Sequence, residues 1–215
     1  MREKYMWWII GIVAVALLGF ALWGPIVSNV EQPKYQVVER SGNIEIRDYA
    51  PMIVAEVDLP GERLDALGKG FGLLADYIFG NNSAAQKVPM TAPVTQQNRE
   101  RIAMTAPVTQ EGDGATWKVR FIMPSDYTME TLPKPLNPTV KLRDVAAKRY
   151  AVIRFSGRAG EASLKRRTDE LTEWLRSRSL AAKSDAVYAF YNPPWSLPFL
   201  RRNEVMIEID ASPAD

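Results

Sequence analysis

Ile44-Glu45-Ile46-Arg47-Asp48 recurs 96 residues further on as Val140-Lys141-Leu142-Arg143-Asp144. Both copies alternate apolar and polar residues, the two-residue period of a strand with one buried face. Each leads into an apolar stretch, Met52-Ile53-Val54-Ala55-Glu56-Val57 after the first and Tyr150-Ala151-Val152-Ile153-Arg154-Phe155 after the second. A helical pattern comes next in both: Leu64, Leu67, Phe71, Leu74 and Ile78, then Leu164, Leu171, Trp174 and Leu175 among polar residues. Two more strands close each half, with Trp117 to Met123 and Val205 to Ile209 as the final ones. Strands, helix and strands, twice over, predict an α+β domain with a mainly antiparallel sheet, two packed helices and a pseudo-twofold internal repeat.

A shorter repeat lies inside the first half. Met90-Thr91-Ala92-Pro93-Val94-Thr95-Gln96 returns unchanged as Met104-Thr105-Ala106-Pro107-Val108-Thr109-Gln110. It reads as a duplicated strand forming a hairpin, with the proline of each copy at an edge or bulge. The other reading puts one copy in the native strand position and loops the other out.

Composition excludes more than it assigns. The 215 residues carry a net charge of +2, so there is no electrostatic reason for a nucleic-acid partner. There is no His and no Cys. Disulfides, thiolate nucleophiles, Cys/His metal sites and Ser-His-Asp triads are therefore impossible. Acid–base catalysis near neutral pH has also lost its commonest agent, which weighs against an enzyme; no catalytic or metal-ligating residue is assigned.

Residues 6–27 carry no charge. As a helix at 1.5 Å per residue they match the ~30 Å hydrocarbon core of a bilayer, with Trp7, Trp8 and Trp23 where interfacial aromatics sit. A cleaved signal peptide would need a small-x-small site after Trp23, and none is convincing. The reading is an uncleaved, single-pass transmembrane signal-anchor helix. Arg2, Lys4 and the amino terminus flank it closely, which places the domain outside the cytoplasm. The chain then divides into an N-terminal flank (1–5), the anchor in the lipid bilayer (6–27), a linker (28–33), the folded domain (34–210) and a tail (211–215).

Near the C-terminus stands Tyr191-Asn192-Pro193-Pro194-Trp195-Ser196-Leu197-Pro198-Phe199-Leu200-Arg201-Arg202-Asn203-Glu204-Val205. Its prolines fix φ and remove donors, so it is a rigid loop that presents Trp195 and Phe199 before a strand. This tail and the Met-Thr-Ala-Pro-Val segments together resemble the SOUL haem-binding protein family, over roughly residues 33–210. The resemblance implies a distorted antiparallel β-barrel with two helices, a fold shared with effector-binding domains of some bacterial multidrug regulators. It also implies haem or a related tetrapyrrole as ligand, held in an apolar cleft for sequestration, buffering or transfer.

A tetrapyrrole needs a flat apolar slot, bases for its propionates and, optionally, an axial ligand. Gly68 and Gly72 share one helix face, flanked by Leu67 and Phe71. Two interior glycines cost a helix about 1 kcal/mol each, so they ask for a reason: close approach of a flat ligand, or close packing against a strand. The resemblance implies apolar and basic contacts from this helix. With Gly68 and Asp76 where bases are expected, Lys69 is the remaining one. Met90 and Met104 are soft axial ligands or core filling. Tyr188 and Tyr191 are phenolate ligands for ferric iron or strand-end packing, Trp195 is held as a pocket rim would require, and Arg201 and Arg202 are a clamp for a propionate or a structural pair. Glu204 is a partner for an adjacent arginine. In the rival functions it attracts amphipathic cations, as buried acids do in the effector-binding domains, or serves a small-molecule hydrolase. With no His or Cys as axial ligand, haem held mainly by apolar contact is the natural picture.

Overall fold

The computed structural model describes residues 30–83 and 99–210, together with Trp8. Strands β1 (Tyr35–Ser41), β2 (Ile44–Tyr49) and β3 (Met52–Pro60) lead into helix α1 (Arg63–Ile78). After β4 (Asn82–Ser83) come β5 (Val108–Gly112), β6 (Thr116–Ile122), β7 (Lys134–Pro135), β8 (Lys141–Val145) and β9 (Lys148–Phe155). Helix α2 (Glu161–Ser177), β10 (Val187–Phe190), a short 3-10 turn (Pro198–Leu200) and β11 (Asn203–Ile209) complete the chain. Nine strands form one antiparallel sheet in the order β1-β2-β9-β11-β10-β5-β6-β3-β8, while β4 and β7 pair separately.

That order has an approximate two-fold axis between β5 and β10. About it β6 corresponds to β11, β3 to β9 and β8 to β2. The predicted repeat is present, but its leading strands are exchanged. Strand β2, which opens the first half, pairs with β9 of the second, and β8 pairs back onto β3. Both helices pack on the same face of the curled sheet. Leu164, Leu171 and Leu175 of α2 meet Ile153, Val205 and Ile207, whereas Leu74, Tyr77 and Ile78 of α1 meet Ala55, Val119 and Phe121. The concave face carries a third cluster, with Tyr49, Val152, Val187, Tyr191 and Met206.

The expected barrel takes the form of a curled half-barrel: among the described residues β1 and β8 each have a single neighbour. Both edges are charged, with Glu39 and Arg40 on one and Lys141, Arg143 and Asp144 on the other, which disfavours edge-to-edge pairing. The second Met-Thr-Ala-Pro-Val copy enters β5 at Val108, and both edges of β5 are taken, by β6 and β10. The first copy, including Met90, lies outside the described residues. So does the apolar segment 6–27; among the described residues no helix is long and apolar enough to cross a membrane. Val30 to Pro33, expected as linker, are held to the domain: the Glu31 carbonyl accepts from Ala106 N, and its carboxylate from Ser125 N.

The halves are also joined at their helix starts. Buried Arg63, the first residue of α1, donates to Glu161, the first residue of α2, and to Gln110 Oε1 (3.1 Å). Gln110 Nε2 returns a bond to the Arg63 carbonyl (2.8 Å). Close packing of α1 on the sheet falls to a glycine that the sequence pattern does not single out. A Cβ on Gly70 would stand 2.7 Å from Val119, while at Gly68 and Gly72 it would meet nothing within 4 Å. Gly70→Ala is therefore expected to lower stability by about 1–3 kcal/mol through overpacking. Gly68→Ala and Gly72→Ala should be neutral or raise it by up to about 1 kcal/mol. Urea unfolding of the three variants checks the contrast, and equal effects at all three positions would contradict this packing.

Candidate functional site

Two surfaces emerge, on opposite faces of the sheet. The outer one is the solvent side of α1. Leu64, Gly68, Phe71 and Ala75 follow one another at helical spacing, with Leu67 and Gly72 on either flank. Leu64 is 61% exposed and Phe71 39%, an unusual amount of apolar surface for one helix face. Phe71 is nonetheless anchored, its ring edge-on to core Phe121 with centroids 5.3 Å apart. The open space above Gly68 and Gly72 removes strand packing as the reason for those two glycines. Lys69 is exposed beside the stripe, with no ion pair among the described residues. At the far end of α1 the chain returns, with Ile102 N bonded to the Ile78 carbonyl, and Met104 follows, 37% exposed.

The inner surface is polar and tightly paired. Glu204 lies on β11 between Asn203 and Val205 and is completely buried. One carboxylate oxygen accepts from Arg47 Nη1 (3.0 Å) and from the Tyr191 hydroxyl (2.8 Å); the other accepts from Arg202 Nε (2.9 Å). Arg47 in turn donates to Glu45 (2.6 Å) and to the Tyr49 hydroxyl (3.1 Å), and its guanidinium lies 4.4 Å from the Tyr35 ring. Arg202 stacks 3.8 Å over Tyr191 and reaches Gln32 Oε1 (3.0 Å). Burial lowers the Arg47 pKa, but the negative charge of Glu204 and the bonds to Glu204 and Tyr49 outweigh it and raise the pKa above the ordinary value. Tyr191 is pushed well above the usual phenol range, by burial first and by the Glu204 charge next. Burial and the same carboxylate push Tyr49 up as well.

These contacts decide several candidate roles. Glu204 already has two guanidiniums and a phenol on it, so a cationic ligand would have to displace an arginine to reach it. A phenol that donates to Glu204 and resists ionisation makes Tyr191 a poor iron ligand. Arg201 donates to the Ser196 carbonyl (2.8 Å) and to that of Pro194, so it braces its own loop. Trp195 is exposed at the tip of that loop. Tyr188 packs into the cluster under α2.

The structure thus brings Leu67, Gly68, Lys69, Phe71 and Gly72 together on α1, and Tyr191, Arg202 and Glu204 on the concave face. It does not join the two groups in one cleft, because strand residues alternate faces and Glu204 stands opposite the helix-facing Val205. Sequence reasoning missed Arg47 and Gly70. Arg47 was visible only as part of the strand repeat, since its partner is 157 residues away.

Two hollows adjoin the concave face. One, of about 70 Å³ between Tyr49, Tyr150, Tyr191, Met206 and Arg120, has room for a few waters at most. The other is an open groove of about 650 Å³ at the end of β3 and β8. Its size suits a tetrapyrrole, but Glu31, Glu130 and Asp144 outnumber Lys34 there, which opposes a dianionic ligand. Among the described residues no cluster of acidic side chains is arranged to hold a metal ion.

The Glu204 cluster makes a prediction about stability. Glu204→Gln should cost about 3–5 kcal/mol, because two arginines lose their counter-charge in a dry site. Arg47→Met should cost less than Glu204→Gln, because Arg202 still neutralises the carboxylate. Thermal denaturation of both variants checks this, and a Glu204→Gln protein as stable as the parent would refute the assigned role.

Comparisons with known proteins bear on the family and the fold. The chain matches the family described as SOUL heme-binding protein over residues 30–208. It is 28% identical over 188 residues to Heme-binding protein 2 of Homo sapiens, covering 83% of this chain and 85% of that protein. In fold it is similar to the C-terminal domain of EcmrR, with a TM-score of 0.58 at 9% identity, covering 82% of this chain and 98% of that one. It is also similar to a hydrolase from Listeria innocua, with a TM-score of 0.50 at 12% identity, covering 80% and 94% of the two chains. At such identities the two solved structures bear on the fold alone. The half-barrel, its swapped repeat and the match over nearly all of the described domain make this chain a member of the SOUL heme-binding protein family.

Proposed function

We propose that this chain captures haem or a related tetrapyrrole on the solvent face of α1 and holds it close to a membrane for sequestration, buffering or transfer. The observation that carries the reading is a pair of glycines with open space above them, Gly68 and Gly72, beside exposed Leu64 and Phe71. Interior helix glycines cost about 1 kcal/mol each relative to alanine. Where no neighbour crowds them, a surface kept flat for a planar ligand gives that cost a purpose. Lys69 supplies an ammonium within reach of a propionate at the margin of the stripe. Family membership and the haem-binding relative support the ligand class. The uncharged segment 6–27 supports tethering, and the close-lying Arg2 and Lys4 support an extracytoplasmic domain.

The residues available fit haem held by apolar contact. The iron would be carried without a histidine or thiolate ligand, as neither residue exists in the chain. Leu64, Leu67 and Phe71 would cover one face of the macrocycle, and Gly68 and Gly72 would let it lie against the helix backbone. Met104, exposed where the chain returns to the end of α1, is the described candidate for a thioether contact.

Titration of the full-length protein with hemin and with metal-free protoporphyrin, followed by absorbance and melting temperature, tests the proposal. One-to-one saturable binding of both with similar affinity is expected, with a rise in melting temperature. Gly68→Leu and Gly72→Leu should fold at least as well as the parent and weaken binding about tenfold or more, the equivalent of ~1.4 kcal/mol. Folded variants with unchanged affinity would remove the site from α1, and no saturable binding of either compound would overturn the ligand class.

A further inference from the structure

We propose that the loop Pro193–Arg202 is a bilayer-docking element that seats Trp195, Phe199 and Leu200 in the lipid headgroup region. This rests on the tethered reading of residues 6–27 given above. Trp195 is 56% exposed, Phe199 69% and Leu200 40%, all within six residues. Single exposed apolar residues are ordinary, but three within six residues of one loop ask for a partner. The loop is also stiff. Pro193, Pro194 and Pro198 fix φ, Leu200 N bonds to the Leu197 carbonyl, and Arg201 is bound to two carbonyls inside the loop. Its outer side is tied to the body through Gly157 N, which donates to the Pro198 carbonyl (2.9 Å). A rigid loop loses little entropy when its side chains are buried, so it suits insertion rather than folding on contact.

Its position selects the occupant. Arg202, at the loop base, donates to Gln32 (3.0 Å), and Gln32 is five residues beyond Val27, where the uncharged stretch ends. Fully extended, those five residues span at most ~18 Å. A domain of this size has a radius of gyration of roughly 16 Å, so the loop lies on the half nearest the anchor. Tryptophan and phenylalanine beside arginine is the composition favoured at a membrane–water boundary. Exposed Arg158, with no ion pair among the described residues, adjoins Gly157 and offers a cation to anionic headgroups. The strand register puts the β5–β6 turn at the opposite end of the sheet, because Phe190 pairs with Val108 and Tyr188 with Gln110.

The absence of cysteine permits single-site labelling of the full chain in phosphatidylcholine–phosphatidylglycerol nanodiscs. Phe199→Cys and Trp195→Cys report the loop, Ala115→Cys the distal turn, and Ala16→Cys the anchor. Each carries a nitroxide whose collisions with oxygen and with a water-soluble nickel chelate are compared. The expected result is an oxygen-to-nickel ratio several-fold higher at positions 199 and 195 than at 115, and highest at 16. Loop labels as water-exposed as position 115, with position 16 buried in lipid, would overturn the docking loop and leave the anchor standing. A water-exposed label at position 16 would overturn the anchor and the loop with it.

Discussion

A single buried carboxylate organises the concave face. Glu204 is removed from water, a cost of several kcal/mol for an isolated ion, and is offset by donors from three directions. Arg47 comes from β2, Tyr191 from just after β10 and Arg202 from the loop base just before β11. Strand β2 belongs to the first half of the repeat and β11 to the second, so the carboxylate ties one half to the other. Through Arg202 and Gln32 the same cluster reaches the segment that leads back to the N-terminal apolar stretch. The tail loop therefore has a fixed base, and so does the entry of the chain into the domain.

That arrangement assigns different work to the two faces. The concave face is filled with paired charges and high-pKa phenols, and the hollow between them is small, about 70 Å³. The outer face of α1 has the reverse character: exposed carbon, open glycines and one lysine free of ion pairs among the described residues. Three glycines in one helix take on two tasks. Gly70 lets the helix sit on Val119, and Gly68 and Gly72 leave the opposite side flat. Glu204 is not free to receive a cationic ligand, because the two arginines already neutralise it.

Much of the architecture was legible because it is written in local periodicity. Alternation marked Ile44–Asp48 and Val140–Asp144 as strands, and 3.6-residue spacing marked both helices. The repeat announced two equivalent halves. Pairing partners were not legible in this way. The exchange of β2 and β8 between halves, the curled half-barrel and the burial of both edges of β5 depend on which strands meet, and residues remote in sequence carry no local sign of that.

The same division runs through the site. Sequence by itself determined the excluded chemistry, since a chain without His or Cys cannot ligate or catalyse with them. It also determined the family likeness, the uncharged N-terminal stretch and the α1 residues that share a helix face, because a helix places i, i+3 and i+4 together whatever surrounds it. Only the tertiary structure decided which glycine packs and which is open, since that depends on whether Val119 lies beneath it. Only the tertiary structure joined Arg47 to Glu204 and set the tail loop beside Gln32. It also separated the tail's Arg202 and Glu204 from α1, because adjacent residues on a strand point to opposite faces while their partners come from wherever the sheet brings them.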